Sequence, residues 1–327
     1  MDLKIEKILK MSQEELLGFA YIELIKRGYK NRNMEFTDDY LYAKGNIPVL
    51  LVAHCDIVHK ELPKIIVNDK QQRILWSPTG IGGDDRCGVY GILKICESFK
   101  PYVLFTTEEE VGGLGVKEFT KTHKELPVNF IIEMDRRGFN QVVFYRCDNK
   151  DFQNYILSFG LDKQTGSYSD VSTLSVDLDI AGCNMSAGYY KEHTTTEHII
   201  MADLEHTIDV IKSILKDRKN HKFYDCQEIK YDTGCKNYKY YNDLYDDWNG
   251  WYYKDGIWKK KEEPSNEKEK EEEKEEEIID EQIDDEMLKE MLQLEEDYDV
   301  LTDKEWKQVY GYSKPKSIDE VYEMYYQ

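Results

Sequence analysis

The sequence predicts an α/β fold in three layers, in which a mixed, mostly parallel sheet is flanked by helices. Short runs rich in β-branched and aromatic residues alternate with segments of helical periodicity between residues 12 and 216. Such alternation is typical of a parallel sheet that is layered by helices. The chain has 327 residues, of which 40% are hydrophobic, and this is enough to bury the core of one sizeable domain.

Helices are predicted where apolar residues recur every three or four positions. The first such segment, residues 12–27, has this spacing at Leu16, Leu17, Ala20, Tyr21, Leu24 and Ile25. The other helical segments are residues 85–99, 115–126, 151–159 and 195–216. The body is therefore expected to begin near one helix and to end with a long one.

Strands are predicted where short runs of Val, Ile, Tyr, Phe and Thr are bounded by polar or glycine-rich segments. These runs are residues 40–43, 47–53, 74–77, 102–106, 129–133, 141–145 and 180–185. Because helical segments separate several of them, the strands are expected to form one sheet with helical crossovers.

The formal net charge of −21 belongs mainly to a C-terminal segment. Residues 262–299 contain 20 Asp or Glu and 4 Lys, which indicates a solvated linker. Residues 219–260 hold eight tyrosines and three tryptophans around an Asp255-Gly256 turn, which favours a small hairpin. We expect a folded body at residues 1–218, an aromatic segment at 219–260, and an acidic linker with short helices at 261–327.

Composition argues against several classes of partner. The sequence has no cluster of Lys and Arg, and a nucleic-acid interface requires one. The longest apolar run, Ile47 to Ala53, has seven residues, which is too short to span a membrane. The N-terminus alternates charged with apolar residues, unlike a signal peptide. We therefore expect a cytoplasmic protein that binds neither nucleic acid nor membrane, with a possible protein partner for its acidic tail.

Side chains that can bind a metal ion follow the predicted strands. They are His54 and Asp56, Asp84 and Asp85, Glu109 and Glu110, Asp135, and His193. Each alone has a simpler explanation, since an Asp pair before a helix is usually a cap and a lone His is usually structural. Ligands of open α/β sheets, however, bind outside the carboxyl ends of the strands. Their common placement therefore predicts one site at this edge of the sheet.

The same residues, taken in order, resemble the motifs of the co-catalytic di-zinc exopeptidases, a superfamily of zinc aminopeptidases, tripeptidases and aminoacylase-like amidohydrolases. The matching segments are His54-Cys55-Asp56, Gly83-Asp84-Asp85, Thr106 to Gly112, Asp135, and His193 to Glu197. The resemblance covers about residues 45–215. It implies the α/β fold already predicted from the alternation of strands and helices, and Gly112 fixes the register of the three consecutive glutamates.

The resemblance implies a role for each of these residues. Asp84 would bridge two metal ions, with His54 and Asp135 completing one site and Glu110 and His193 the other. Asp56 would orient His54, Glu109 would be the general base, and the Asp84-Asp85 peptide would be cis. Imidazole and carboxylate ligands without thiolate suit zinc, so the expected cofactor is a pair of Zn²⁺ ions, with Co²⁺ or Mn²⁺ as alternatives.

Substrate contacts are predicted with less support from the motifs. Only 58 positions separate Asp135 from His193, too few for an inserted lid domain, so the chain resembles the compact aminopeptidase-type branch. Asp170 belongs to a Ser-Asp step similar to one in that branch. Arg136 could bind a substrate carboxylate, although a surface ion pair is the simpler interpretation. Tyr190 is a predicted substrate contact, since Tyr189 or Tyr190 could donate to the tetrahedral intermediate, although packing is the simpler interpretation of both.

Together these features predict a metal-dependent hydrolase that cleaves peptide bonds, of the aminopeptidase-type exopeptidase class, using a hydroxide shared by two zinc ions. Two alternatives stay open at this point. One is an amidohydrolase or deacylase that acts on a non-peptide amide, since the same metals and base serve both reactions. The other is an adaptor protein in which the acidic tail recruits a partner.

Overall fold

The computed structural model describes residues 3–229 and the backbone of residues 251–254 and 257–260. The chain divides into two compact units, Met1–Asp232 and Thr233–Gln327. The first unit alternates helices with strands, so the predicted α/β class is confirmed.

The helices of the first unit include all five that the periodicity predicts. They are α1 (Ile5–Ile8), α2 (Gln13–Lys26), α3 (Gly83–Cys96), α4 (Leu114–Thr122), α5 (Lys150–Leu157), α6 (Asp170–Leu178) and α7 (Met201–Lys216), with short 3₁₀ turns at Asn31–Asn33 and Arg218–Asn220. None of the helices in the described residues is both long and apolar enough to cross a membrane.

The strands of this unit form two sheets. They are β1 (Met34–Phe36), β2 (Tyr40–Ala43), β3 (Ile47–His54), β4 (Val67–Asp69), β5 (Ile74–Trp76), β6 (Pro101–Thr106), β7 (Phe130–Arg136), β8 (Gln141–Val143), β9 (Asp162–Gln164), β10 (Gly182–Ser186), β11 (Tyr189–Tyr190) and β12 (His198–Ile200). The large sheet has the order β1-β2-β6-β3-β7-β10-β8-β9 and the small one the order β11-β12-β5-β4.

The centre of the large sheet is parallel. Strands β6, β3, β7 and β10 pair side by side in parallel, whereas β1, β2 and β8 join antiparallel. The chain leaves β3 for β6 on one side and later returns to β7 on the other side. This reversal of strand order is the switch point at which α/β sheets open a crevice for ligands.

Helices cover both faces of the sheet, which makes the three predicted layers. Adjacent residues of a strand point to opposite faces. In β7, Met134 packs against Gly91 of α3, whereas the side chain of Glu133 accepts a hydrogen bond from the backbone of Val171 in α6. Helices α3 and α7 therefore cover one face, and α4 and α6 cover the other.

Helix α2 shows how the sequence fixes a helix end. The Ser12 hydroxyl accepts a hydrogen bond from the Glu15 backbone N–H at 3.2 Å, and the Glu15 carboxylate accepts one from the Ser12 N–H at 2.7 Å. This reciprocal pair satisfies two backbone donors that the first helical turn leaves open. The predicted apolar stripe is buried from Leu16 to Leu24.

Two helices differ from the prediction for identifiable reasons. The predicted helix at 195–216 begins only at Met201, because residues 198–200 form β12 and pair with β5 and β11. Helix α6 is not predicted, since its Ser, Thr, Asp and Val residues favour helix weakly. Its residues Val171, Leu174 and Leu178 are buried in the core beside α4, so tertiary packing outweighs propensity here.

The packed body extends beyond the boundary predicted at residue 218. Tyr224 is buried, its N–H donates to the carbonyl of Asn129, and its carbonyl accepts from the N–H of Ala181. Its ring lies 6.2 Å from Phe130 and 5.5 Å from Phe152. The segment after α7 is therefore part of the body, a conclusion that helical periodicity could not supply because this segment is extended.

This packing predicts the outcome of truncation. A chain that ends at residue 218 loses Tyr224 and the buried Cys226, and we expect it to be destabilised by about 3 kcal/mol or more, as for removal of a buried aromatic side chain. A chain that ends at residue 232 keeps both and should unfold close to the full-length body. Denaturant unfolding of the two chains measures the difference, and equal stability would contradict the packing.

The second unit is described only in part. Strands β13 (Trp251–Lys254) and β14 (Ile257–Lys260) pair antiparallel, with Trp251 opposite Lys260 and Lys254 opposite Ile257. This register brackets the Asp255-Gly256 turn at which the sequence predicts a hairpin. The acidic linker and short helices predicted at 261–327 lie outside the described residues.

Candidate metal centre

Predicted ligands meet at the carboxyl ends of the central strands. His54 is the last residue of β3, Asp135 is the next-to-last of β7, and β6 ends at Thr106, just before Glu109 and Glu110. Because β6, β3 and β7 are parallel neighbours, their ends open into one crevice. The sheet topology therefore brings together residues that are distant in the sequence, such as His54 and Asp135, which are 81 positions apart.

Asp84 lies between the two histidines of the cluster. Its Oδ1 is 3.4 Å from Nε2 of His54, and its Oδ2 is 3.1 Å from Nε2 of His193. Each oxygen of one carboxylate thus faces a different imidazole. This is the geometry that a carboxylate bridging two metal ions requires.

Two groups of ligands share this carboxylate. One contains His54, Asp84 and Asp135, the other contains Asp84, Glu110 and His193, and within each group the donor atoms lie within 4.8 Å of one another. Nε2 of His54 is 3.5 Å from Asp135 Oδ1, and Nε2 of His193 is 2.9 Å from Glu110 Oε1. Metal–ligand bonds of about 2.0–2.1 Å at a tetrahedral ion place two ligand atoms about 3.3 Å apart, so these residues fit zinc.

Asp56 fixes the orientation of His54. Its Oδ1 is 3.1 Å from Nδ1 of the buried His54 ring. Since a carboxylate only accepts, Nδ1 carries the proton and Nε2 is left to bind a metal ion. The Asp56 carboxylate also accepts the backbone N–H groups of Glu109 at 3.1 Å and Glu110 at 3.0 Å. One side chain therefore positions residues from both sides of the centre.

The closely spaced carboxylates of the cluster raise the pKa values of their neighbours, which favours the binding of cations. Burial alone would lower the pKa of His193, but Asp84 and Glu110 raise it to about 10. Burial and the charge of Asp84 raise the pKa of Asp135 to about 7. Carboxylates held this closely in a buried site repel each other, and bound dications would neutralise them.

The second of the three glutamates faces the cluster. Glu109 forms a third metal-compatible group with His54 and Glu110, and burial together with repulsion from Asp135 and Asp170 raises its pKa well above the ordinary value. A raised pKa suits a general base that works near neutral pH.

The first of the three glutamates serves the fold instead. The Glu108 N–H donates to Oε1 of Gln13 at 3.2 Å, and the Glu108 carboxylate accepts from Nε2 of Gln13 at 3.2 Å. Helix α2 thus holds the loop that presents Glu109. The structure supports the register in which Glu108 is structural.

Asp85 caps the regular part of α3, since both Asp84 and Asp85 have non-helical backbone angles within its first turn. Its buried carboxylate accepts the Gly88 N–H at 2.9 Å, three residues on, as an N-cap does. The peptide bond between Asp84 and Asp85 is cis. The two neighbouring aspartates therefore have different surroundings. The simpler interpretation of the pair, as an N-cap, applies to Asp85 and not to Asp84.

The structure brings Tyr189, not Tyr190, to the ligands. The Tyr189 hydroxyl donates to Asp135 Oδ1 at 3.1 Å. Tyr190 points to the opposite face of β11, where its hydroxyl donates to Asp203 and its ring stacks on His198. Alternation along the strand separates the two rings. The structure thus favours Tyr189, the alternative, over Tyr190 as the tyrosine beside the proposed ligands, and the substrate contact of Tyr190 stays a prediction.

The other predicted substrate contacts are engaged elsewhere. Asp170 is fully buried behind β6 and accepts a hydrogen bond from the Thr106 hydroxyl. Nε of Arg136 donates to Gln141 at 3.3 Å, and Arg137 pairs with Glu192. Arg137 thus forms the surface ion pair of the simpler interpretation, Arg136 donates to an amide instead, and the substrate contacts of Asp170 and Arg136 stay predictions.

Asn184 positions Asp135, although it belongs to none of the sequence motifs. Asn184 of β10 accepts the Asp135 N–H at 2.8 Å and donates to the Asp135 carbonyl at 3.0 Å. It also donates to Ser169 at 3.0 Å. These contacts fix the end of β7, and they follow from the pairing of β7 with β10, which sequence alone does not reveal.

Comparisons with known proteins identify solved structures that have a similar fold. No protein-family model matches the sequence, and no curated protein matches it. Among solved structures, the fold is similar to aminopeptidase PepT from Bacillus cereus, with a TM-score of 0.56, 11% identity and coverage of 66% of this chain and 97% of that chain. A tripeptidase from Staphylococcus aureus gives a TM-score of 0.54, 12% identity, and coverage of 65% and 96%.

This chain has the fold of these solved peptidases. The TET1 peptidase of Pyrococcus horikoshii is also similar, with a TM-score of 0.50, 14% identity, and coverage of 64% of this chain and 98% of that chain. At these identities the likeness establishes the exopeptidase fold and no more. The fold predicted from the motifs is thereby confirmed, and the chemistry depends on the side chains described above.

Proposed function

We propose that this chain is a zinc-dependent peptidase of the aminopeptidase-type exopeptidase class. The observation that carries the proposal is the placement of Asp84, whose two oxygens face Nε2 of His54 and Nε2 of His193. Asp135 and Glu110 complete the two ligand groups. The exopeptidase fold supports the same activity.

Zinc at these ligands would supply an electrophile for the scissile carbonyl and lower the pKa of a water molecule toward neutrality. Glu109 would take a proton from the attacking water and pass it to the departing amine. Glu109 is half-buried, and it belongs to a loop whose backbone N–H donates to Asp56.

The Tyr189 hydroxyl donates to Asp135, and burial raises its pKa well above the ordinary value. Tyr189 therefore keeps its proton and helps to hold that carboxylate in place. Its part in the reaction is to orient a ligand, because its proton is already committed to Asp135.

Charge favours recognition of a substrate amine over a substrate carboxylate. The surroundings of the proposed ligands are acidic, with Glu133 close to both Asp135 and Asp170. Arg137 pairs with Glu192, and Arg136 donates to Gln141. A free α-amine would be attracted to these acidic surroundings, whereas the Arg137 guanidinium is already paired with a carboxylate. This contrast supports aminopeptidase action.

One peptide in three forms tests the proposal. The purified full chain is given the free, N-acetylated and C-amidated peptide, with zinc, cobalt or manganese supplied, and its metal content is measured. We expect about two zinc ions per chain, with cleavage of the free and amidated forms and little cleavage of the acetylated one. If the acetylated form is cleaved as well as the free form, while amidation stops the reaction, amine recognition is wrong.

A non-peptide amide substrate distinguishes an amidohydrolase from an aminopeptidase. An acylated amino acid offered under the same conditions should be cleaved poorly if the chain is an aminopeptidase. Rapid release of the acyl group, together with no cleavage of any peptide, would favour an amidohydrolase on the same metal centre. A chain that takes up no zinc would reject both enzymes.

A further inference from the structure

Glu197 is a buried carboxylate whose hydrogen-bonding capacity is fully used. It is 1% exposed. Its Oε1 accepts from the backbone N–H of Gly83 at 2.8 Å and of Asp84 at 3.1 Å, and its Oε2 accepts from the Gly82 N–H at 3.0 Å and from Nε2 of His59 at 2.7 Å. A carboxylate offers about four lone-pair sites. Glu197 thus has no oxygen free to bind a metal ion itself.

The contacts of Glu197 connect the two halves of the candidate centre. Three successive backbone N–H groups point at this one carboxylate, and the third belongs to Asp84. Glu197 itself lies four residues after His193, in the connection that leads into β12. The turn that carries Asp84, which both proposed metal sites share, is therefore hydrogen-bonded to the segment that carries His193, which belongs to one proposed site only.

The turn packs so tightly against Glu197 and His59 that two of its positions have no room for a side chain. A Cβ at Gly83 would lie 2.9 Å from Cβ of Tyr189, 3.0 Å from Ile199 and 3.3 Å from Oε1 of Glu197. A Cβ at Gly80 would lie 2.3 Å from the His59 ring. The backbone approaches Glu197 and its partner His59 only because these positions are glycines.

We propose that Glu197 is a positioning residue for the bridging carboxylate, acting on the metal centre through the backbone of residues 82–84. The inference rests on the proposed function, since it assumes that Asp84 and His193 bind zinc. Charge-assisted hydrogen bonds from three amides fix the direction in which the Asp84 side chain leaves the backbone. Glu197 touches no reacting atom, so its effect must pass through Asp84.

Glu197→Gln is the direct test, because it keeps the volume and removes the charge. The amide oxygen can still accept, but the NH₂ group faces N–H donors and leaves them without partners. We expect zinc affinity, measured by competition with a chelating dye, to fall about 10–100-fold, as for outer partners of metal ligands. At saturating zinc, kcat should fall while KM changes little, because substrate contacts are intact. Glu197→Asp should restore part of the affinity.

His59→Ala is the second variant, and it covers the case in which Glu197→Gln does not fold. It removes one of the four donors to Glu197 and leaves the three amides in place, so a smaller loss of zinc affinity in the same direction is expected. Gln153→Ala is the control, because Gln153 is also buried and its side chain bonds to the Cys147 carbonyl and to Lys163. It should lower the unfolding temperature and leave zinc affinity unchanged.

The outcomes separate this inference from the proposed function. If the wild-type chain binds zinc and both Glu197→Gln and His59→Ala bind it equally well, Glu197 is merely structural and the inference is overturned. If Gln153→Ala loses zinc affinity as Glu197→Gln does, general destabilisation explains the effect and the inference is also overturned. A wild-type chain that binds no zinc rejects the proposed metal centre, and the inference falls with it.

Discussion

Replacement of Glu109 by Gln is expected to lower kcat by about 10³-fold or more while both zinc ions stay bound, since general-base catalysis contributes on this order. The amide cannot take a proton from water. The ligands His54, Asp84 and Glu110 are unchanged, and the Glu109 backbone N–H still donates to Asp56. Steady-state kinetics on a cleavable peptide and metal analysis of the same sample measure the two effects separately.

Glu108→Gln is the matched control for this substitution. It makes the same chemical change one residue earlier, where the side chain contacts Gln13 rather than the metal ligands. We expect its kcat to stay within a few-fold of the wild type, because an amide can still bond to Gln13. If Glu108→Gln were the inactive variant, the register of the three glutamates would be wrong. If Glu109→Gln lost its zinc, Glu109 would be a ligand and the base would lie elsewhere.

The central sheet and the convergence of candidate ligands at its edge were within reach of sequence reasoning because two local signals coincide there. Apolar runs define β3, β6 and β7, and each run is followed at once by a His, Asp or Glu that apolar burial does not explain. Parallel pairing then brings the strand ends together without any further information. His54, Glu109 and Asp135 are predictable for this reason, and the ordered motifs add the resemblance to the exopeptidases.

Residues whose role depends on strand alternation or tertiary pairing were harder to predict. Tyr189 and Tyr190 are chemically alike, and only the pairing of β11 with β12 decides which of them faces Asp135. Asn184 reaches Asp135 because β10 pairs with β7. The four donors to Glu197 come from residues 113 or more positions away. Such contacts leave no periodic trace in the sequence.

Replacement of Asp84 by Asn is expected to have the second-largest effect, the loss of most bound zinc and with it of activity. The Asp84 carboxylate belongs to both ligand groups. An amide carries no charge and has one oxygen, so it cannot bridge two dications. The zinc content should fall from about two ions per chain to fewer than one, because each ion then keeps only two protein ligands where a zinc site needs about three or four.

The neighbouring aspartate provides the control that separates metal binding from folding. Asp85→Ala removes the side chain that accepts the Gly88 N–H, and loss of such a cap costs about 0.5–2 kcal/mol of stability. With chelator present, Asp85→Ala should unfold at lower denaturant than the wild type, yet it should take up zinc when zinc is restored. Asp84→Asn should take up little zinc at any concentration that saturates the wild type. If Asp85→Ala lost zinc and Asp84→Asn lost only stability, Asp85 would be the bridging ligand and Asp84 the cap. Both proposed metal sites would then share Asp85 in place of Asp84.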